Sequence, residues 1–508
     1  MLNRSVIIIG AGIAGLSAGC YSQMNGYESR IFEMHSLPGG LCTTWKRKGY
    51  SIDGCVRFLV GCKPENAFFT IWQELGALKG HRMIEPEEYM RIEDEDGKAL
   101  ILHTDINRLE RHMKEIAPED AEAIEAFVNG VRACIPYQMP IEKAPEVCGP
   151  TDYAKLTFRM LPFMGLMMKW RKVSVSSFAK RFKNPLLRQA FLEIIGGETA
   201  GGGYLDMPMI GGLQQFAWFH NRVAAYPSGG SLAFAQAIQE RYQGLGGEIS
   251  FNSRVERILV ENDKATGIRL IDGSEYRADA VISAADGHAT VFDMLGGNYV
   301  SDAIHDYYEN LPVWPPLVQV AIGVPRTFDE MPPSVEGINF PLNPPIEVDG
   351  RALKRLSVHI HNHDDNDASS EKIVLKVKFF ADFQRWKKLR QDPGGYAAEK
   401  LRIADEVIRA LDTRFPGLKA RVDMVDVATP VTYERYTGNW LGSYQGWLIT
   451  PRTMGMRMKK TLPGLGSFYM AGQWVEVGGG LPAAAMSGRH VVQIMCRQHQ
   501  KQFVTSTA

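Results

Sequence analysis

The chain carries no net charge. Its 57 basic and 57 acidic residues cancel, so the overall balance asks for no nucleic-acid partner and none is expected. It also lacks paired cysteine motifs. The seven cysteines, at positions 20, 42, 55, 62, 134, 148 and 496, are odd in number with no C-x-x-C spacing. That argues against a disulfide framework or a zinc site, and for a reducing compartment. No uninterrupted apolar run reaches the about 18 residues of a spanning helix. No secretory leader is read, because strand-forming residues begin at about residue 5. The expected setting is cytoplasmic, with attachment to a membrane surface left open. Repeats and low-complexity tracts are missing too. What remains is an ordinary globular composition, 45% hydrophobic and 22% charged, over a length that suits two or three domains.

Against these absences the N-terminus is distinctive. Val6-Ile7-Ile8-Ile9 is a β-branched apolar run that leads into Gly10-Ala11-Gly12-Ile13-Ala14-Gly15 and then into helix-like Leu16 to Tyr21. Gly10 permits a tight turn, Gly12 lets backbone approach a pyrophosphate, and Gly15 lets helix pack on sheet. The helix start offers free N–H groups and a positive dipole end to phosphates. Glu33 follows a second apolar stretch, 18 residues after Gly15, where an acid accepts hydrogen bonds from a ribose. Strand, glycine turn, helix, strand and acid together predict dinucleotide binding.

The pattern then changes several times. Residues 108–113 and 121–128 have helical period. A second α/β block starts near Tyr226, with a helix over 232–242, strands near 249 and over 254–260, and a buried strand from Ala280 ending at Asp286. Strand-like runs occupy 317–324 and 373–380. Phe468 to Gly472 reads as a strand, and Ala483 to Cys496 as a small-residue helix. The expected fold is α/β. A discontinuous Rossmann-type domain comprises 1–80, 225–295 and 425–508, and an inserted α+β substrate domain comprises 81–224 and 296–424.

These blocks, in this order, resemble the superfamily of phytoene desaturases, carotenoid isomerases and retinol saturases, within the flavin amine oxidoreductase group. The likeness rests on Gly10 to Gly15 with Glu33, on Pro38-Gly39-Gly40 and on Gly49 to Asp53. It extends to Tyr226 to Gly230, Val255, Ser283-Ala284-Ala285-Asp286, Thr437 to Ser443, Met470 to Trp474 and Gly479 to Pro482. The resemblance implies FAD. Glu33 would hold the adenosine ribose. Gly39, Gly40 and Leu41 would run past the pyrophosphate and flavin, and Val255 would meet the adenine edge through its backbone. Ala285, Gly472, Gly480, Leu481 and Pro482 would complete the cofactor site, with the last helix aimed at the flavin carbonyl region. Two departures stand out. Where the family often has Arg after the glycine pair, this chain has Leu41-Cys42. Where it often has Asp-x-Gly-x-His-Tyr, this chain has Asp53-Gly54-Cys55-Val56-Arg57-Phe58. Arg57 reads either as a cation for reduced flavin or a substrate carboxylate, or as a structural residue paired with a carbonyl.

On the substrate side, Leu156, Met160, Phe163, Met167 and Trp170 fall on one helical face. They are flanked by Lys155, Arg159, Lys169, Arg171 and Lys172 and interrupted by Pro162 and Gly165. Segment 155–172 reads either as a membrane-surface helix or as a pair of short core helices. Arg171 is a candidate active-site cation, and Glu198 a candidate acid or base. His359, His361 and His363 alternate, and are read as an exposed polar strand end rather than a metal site. The resemblance implies a desaturase, saturase or cis–trans isomerase acting on carbon–carbon bonds of a carotenoid, retinoid or fatty-acid-like lipid, with quinone or oxygen as electron acceptor. Two alternatives are a flavin amine oxidase and a flavin-free lipid-binding escort.

Overall fold

The computed structural model describes residues 4–194, 207–325, 337–361, 372–456 and 458–508. Its nucleotide domain is built on a five-stranded parallel sheet. The strand order is Glu248–Ser250, Tyr27–Phe32, Arg4–Ile9, Ala280–Ser283, Phe468–Met470. Val6 to Ile9 is buried at the centre, which is why this strand is β-branched and apolar on both faces. One face packs against the helices Ile13–Met24, Gly230–Gly244 and Leu481–Gln498. The other packs against a three-stranded meander, Val255–Glu261, Lys264–Leu270 and Glu275–Arg277.

The second sheet has seven strands, ordered Met424–Ala428, Leu317–Pro325, Lys372–Phe380, Arg351–His361, Gly337–Val348, Glu88–Glu93, Ala99–His103. One face carries Val318, Val320, Leu375 and Val377 and is covered by the helices Phe383–Leu389 and Pro393–Arg414. The opposite face meets a hairpin, Thr44–Arg47 with Tyr50–Asp53, through Ala321, Val374, Tyr50 and Ile52. Met424–Ala428 therefore belongs to this sheet by pairing, although all but its first residue fall in the 425–508 segment expected in the nucleotide domain.

Residues 155–170 of the predicted segment lie in a single helix, Pro150–Trp170, that runs through Pro162. Pro162 is exposed, so the break in hydrogen bonding that proline imposes falls where water can compensate. The predicted stripe turns inward. Leu156, Met160, Phe163 and Met167 are half-buried and Trp170 is buried, with Phe163 edge-on to Tyr137 at 4.9 Å. A second apolar set faces out: Phe158 is 80%, Leu161 58% and Met168 68% exposed. Among the described residues no helix is long and apolar enough to cross a membrane.

Candidate functional site

The glycines around the nucleotide turn divide into two kinds. A Cβ on Gly15 would lie 1.9 Å from the Gly10 carbonyl oxygen, and one on Gly488 would lie 2.5 Å from that of Ala14. These two let helices seat against the turn. At Gly12, Gly40, Gly472 and Gly480 the nearest atom to such a Cβ is 3.5 Å away or more. These four present bare backbone to a common cradle. Gly10, with φ +96°, makes the turn itself. Gly39 is bridged to Gly12, and its N–H donates to the Ala11 carbonyl at 2.8 Å, so the second glycine turn is bound directly to the first. The helix Ile13–Met24 begins at Gly12, and the helix Leu481–Gln498 at Gly480 with Pro482 in its first turn. Neither start has a side-chain cap. Gly472 donates its N–H to Ser487 Oγ at 2.7 Å.

Glu33 is buried. Its Oε2 accepts the Ala11 N–H at 2.6 Å and its Oε1 the His35 N–H at 2.8 Å. Burial pushes its carboxyl up, and the two N–H donors pull the other way. Ser253 N–H donates to the Glu33 carbonyl at 2.7 Å, which brings the start of the Val255 strand alongside. Ala285 sits beside the turn, its nitrogen 3.5 Å from the Gly10 Cβ position. The cradle, the two uncapped helix starts and the buried acid fit a dinucleotide. Gly10, Gly12, Glu33, Gly39, Gly40, Ala285 and Gly472 thus lie around the turn after the central strand.

Two of the residues expected to act on substrate, Arg57 and Arg171, are described, and they lie on different segments. Arg57 is half-buried, with its guanidinium 4.3 Å from the Tyr89 ring centroid. Tyr89 packs with Phe58 and Phe219. Arg171 is exposed on the capping turn of Pro150–Trp170. Glu198 and His363 lie outside the described residues. His359, expected at an exposed strand end, is buried, because its strand lies inside the seven-stranded sheet.

Three buried polar groups have no role assigned by the sequence. Asp53 is buried and accepts from Ser231 N at 2.6 Å, Ser231 Oγ at 2.7 Å and Cys55 N at 2.9 Å. Lys376, 3% exposed, donates to the Asp53 carbonyl. Gln319, 1% exposed, has no hydrogen-bond partner for either amide atom among the described residues. By register Gln319 and Lys376 share the sheet face that looks at the hairpin. The signal was present for Lys376: it and Lys378 alternate with Leu375 and Val377, so one face of that strand is polar.

Fold and cradle together define a dinucleotide-binding protein of Rossmann type. Residues 13–496 match the flavin containing amine oxidoreductases, and the chain belongs to that family. It is therefore a flavin-dependent enzyme, and the cradle is where FAD would be held. The chain is 25% identical to a chloroplastic prolycopene isomerase of Daucus carota, over 96% of this chain and 78% of that protein. It is 24% identical to a lycopene-forming phytoene desaturase of Pseudescherichia vulneris, over 98% and 100%. It is also 24% identical to an inactive all-trans-retinol 13,14-reductase of Danio rerio, over 84% and 75%. Among solved structures, an oxidoreductase from Methanosarcina mazei superposes with TM-score 0.59 at 16% identity, covering 96% of this chain and 100% of that one. Putrescine oxidase bound to putrescine gives 0.58 at 13%, covering 98% and 99%. Both share the fold.

Proposed function

We propose that this enzyme moves hydride and proton at a carbon–carbon double bond of a long apolar substrate, a carotenoid, retinoid or other unsaturated lipid, as a desaturase, saturase or cis–trans isomerase. The observation that carries the reading is the extent of the match. Relatives named for polyene chemistry align over 96% and 98% of the chain, substrate domain included. A bound flavin supplies the two-electron redox chemistry. The chain's own residues hold and shield. The Phe58–Tyr89–Phe219 ring cluster excludes water beside Arg57, and Arg57, its guanidinium 4.3 Å from the Tyr89 ring centroid, offers a positive charge to an anion. Quinone or oxygen serves as acceptor in the desaturating direction.

The outward face of Pro150–Trp170 supports docking on a membrane, where such substrates dissolve. Phe158, Leu161 and Met168 point to solvent, and Lys155, Lys169, Arg171 and Lys172 are exposed around them. Apolar side chains ringed by basic ones suit an anionic headgroup layer. Arg171 is assigned to that rim.

The test is anaerobic mixing of flavin-loaded protein with polyenes, unsaturated fatty acids and amines. Bleaching by a polyene or fatty acid identifies a desaturase. Saturated product with reoxidation of pre-reduced flavin identifies a saturase, and isomerised product without reoxidation an isomerase. Bleaching by amines alone overturns the reading in favour of an amine oxidase. A colourless protein that takes up no FAD overturns it in favour of an escort.

A further inference from the structure

The two departures from the family pattern, Cys42 and Cys55, face each other. The hairpin pairs Thr44 with Asp53, Trp45 with Ile52 and Lys46 with Ser51. Gly54 N–H donates to the Thr43 carbonyl at 2.9 Å, which carries the register one step further out. Beyond it the strands part, the Cys42 N–H closing a turn on the Gly39 carbonyl at 3.0 Å, and the Cys42 and Cys55 thiols meet across the gap. Cys42 Sγ meets the Ser231 carbonyl at 3.3 Å, and Ser231 also donates to Asp53, which meets Thr44 at 3.3 Å, so the thiol contact lies on the Thr44–Asp53 side. A disulfide needs Cα atoms about 4.4–6.8 Å apart, and two thiols in contact at the open end of a hairpin are placed to meet that span. Contact with the Cys55 thiol, together with burial, pushes the Cys42 thiol well up. Cys42 is buried and Cys55 half-buried, and neither is in a disulfide.

We infer that Cys42 and Cys55 form a reversible dithiol–disulfide couple, a two-electron redox site built into the wall of the flavin cradle. Cys42 stands two residues after Gly40, and Cys55 two before Arg57. The bond would tie the second glycine turn to the segment that carries Arg57. The oxidant is a small-molecule disulfide. Cys55, the more accessible thiol, attacks one of its sulfurs as the thiolate and a thiolate leaves. Cys42 then gives up its proton, attacks the Cys55 sulfur, and the second thiolate leaves. Two protein thiols are oxidised, one external disulfide is reduced to two thiols, and the two protons pass to the departing thiolates. Such a couple belongs to a reducing compartment, where disulfides are transient and redox-sensing.

The experiment treats the flavin-loaded full chain with oxidised glutathione, alkylates the remaining thiols and digests with trypsin. The expected result is loss of two of the seven alkylatable thiols. Peptides Ile31–Lys46 and Gly49–Arg57 should appear joined, two hydrogens lighter than their sum, and be separated again by dithiothreitol. In Cys42→Ser, glutathione should stay on Cys55. The inference is overturned if both peptides of the wild type remain alkylated, or if glutathione rests stably on wild-type Cys55. Should Cys42→Ser not fold, the wild-type peptides decide alone. No substrate enters the measurement, so its outcome is independent of the catalytic reading.

Discussion

The Lys376 ammonium donates to the backbone carbonyl of Asp53 at 2.7 Å, across 323 residues of sequence. This joins the seven-stranded sheet to the last residue of the hairpin that precedes Arg57. Asp53 is thus gripped twice, its carboxylate by Ser231 and its carbonyl by Lys376. Lys376→Met leaves a buried carbonyl without its charged donor, a loss of about 1–3 kcal/mol. The expected outcome is a lower thermal midpoint and a higher KM for substrate, with FAD still bound. An unchanged midpoint would remove Lys376 from the scaffold.

The two kinds of glycine predict two kinds of failure. Gly12 has φ −67° and ψ 174°, a backbone alanine adopts, and its Cβ would meet nothing closer than 4.0 Å. Gly12→Ala should fold with the midpoint of wild-type apoprotein yet bind FAD at least about tenfold more weakly, because the methyl intrudes where phosphate approaches. Gly15→Ala forces backbone apart at Gly10 and should cost about 1–3 kcal/mol or more in the apoprotein itself. Absorbance titration and thermal melts separate the two. Equal behaviour of the two variants contradicts the division.

Asp286 sits just beyond Ala280–Ser283, accepting Trp440 N–H at 2.8 Å and Ala289 N–H at 2.9 Å. Burial pushes its carboxyl up to about 7, against the pull of those donors. The unfolded chain releases this proton near the ordinary aspartate value of about 3.9. The folded state therefore binds the proton more tightly, and the stability this provides is complete below about pH 4 and is lost as pH rises to about 7. Compared with Asp286→Asn, the wild-type midpoint should fall across that window and run parallel above it. The slope is the readout, since the amide also alters the hydrogen bonds. Parallel curves from pH 4 to 8 would refute the assignment.

The outward face of Pro150–Trp170 is open to a direct trial. Removing Phe158 and Met168 together, as Phe158→Ser with Met168→Ser, gives up about 1.5–3 kcal/mol per apolar side chain buried in lipid. Co-sedimentation with anionic phospholipid vesicles should weaken at least about tenfold, and rising salt should weaken wild-type binding as well. The midpoint should not move, because both side chains face solvent. Vesicle binding equal to wild type would leave this face without a lipid role.

The cofactor side was legible because its signals are local. A β-branched run, a glycine spacing and an acid one strand later lie within 30 residues, and each reflects backbone geometry more than distant packing. The substrate side was not. Both faces of Pro150–Trp170 are apolar, so periodicity alone does not decide that the Leu156–Trp170 stripe packs inward while Phe158 and Met168 face out. Lys376 and Gln319 sit in strands whose neighbours are aliphatic, and their surroundings come from chain hundreds of residues away. His359 was misjudged for the same reason. Alternation marks a polar face, but only tertiary packing decides whether that face meets water.

The bridge between Gly12 and Gly39, completed by Gly472 and Gly480, has a consequence for how the protein is made. The first half of the cradle leaves the ribosome early, and the last half with the terminal helix. Nascent chain must therefore carry an unfinished anion site through nearly the whole of its synthesis. Flavin capture becomes a late event, and a chain cut before residue 472 would keep the signature of a nucleotide binder without its grip.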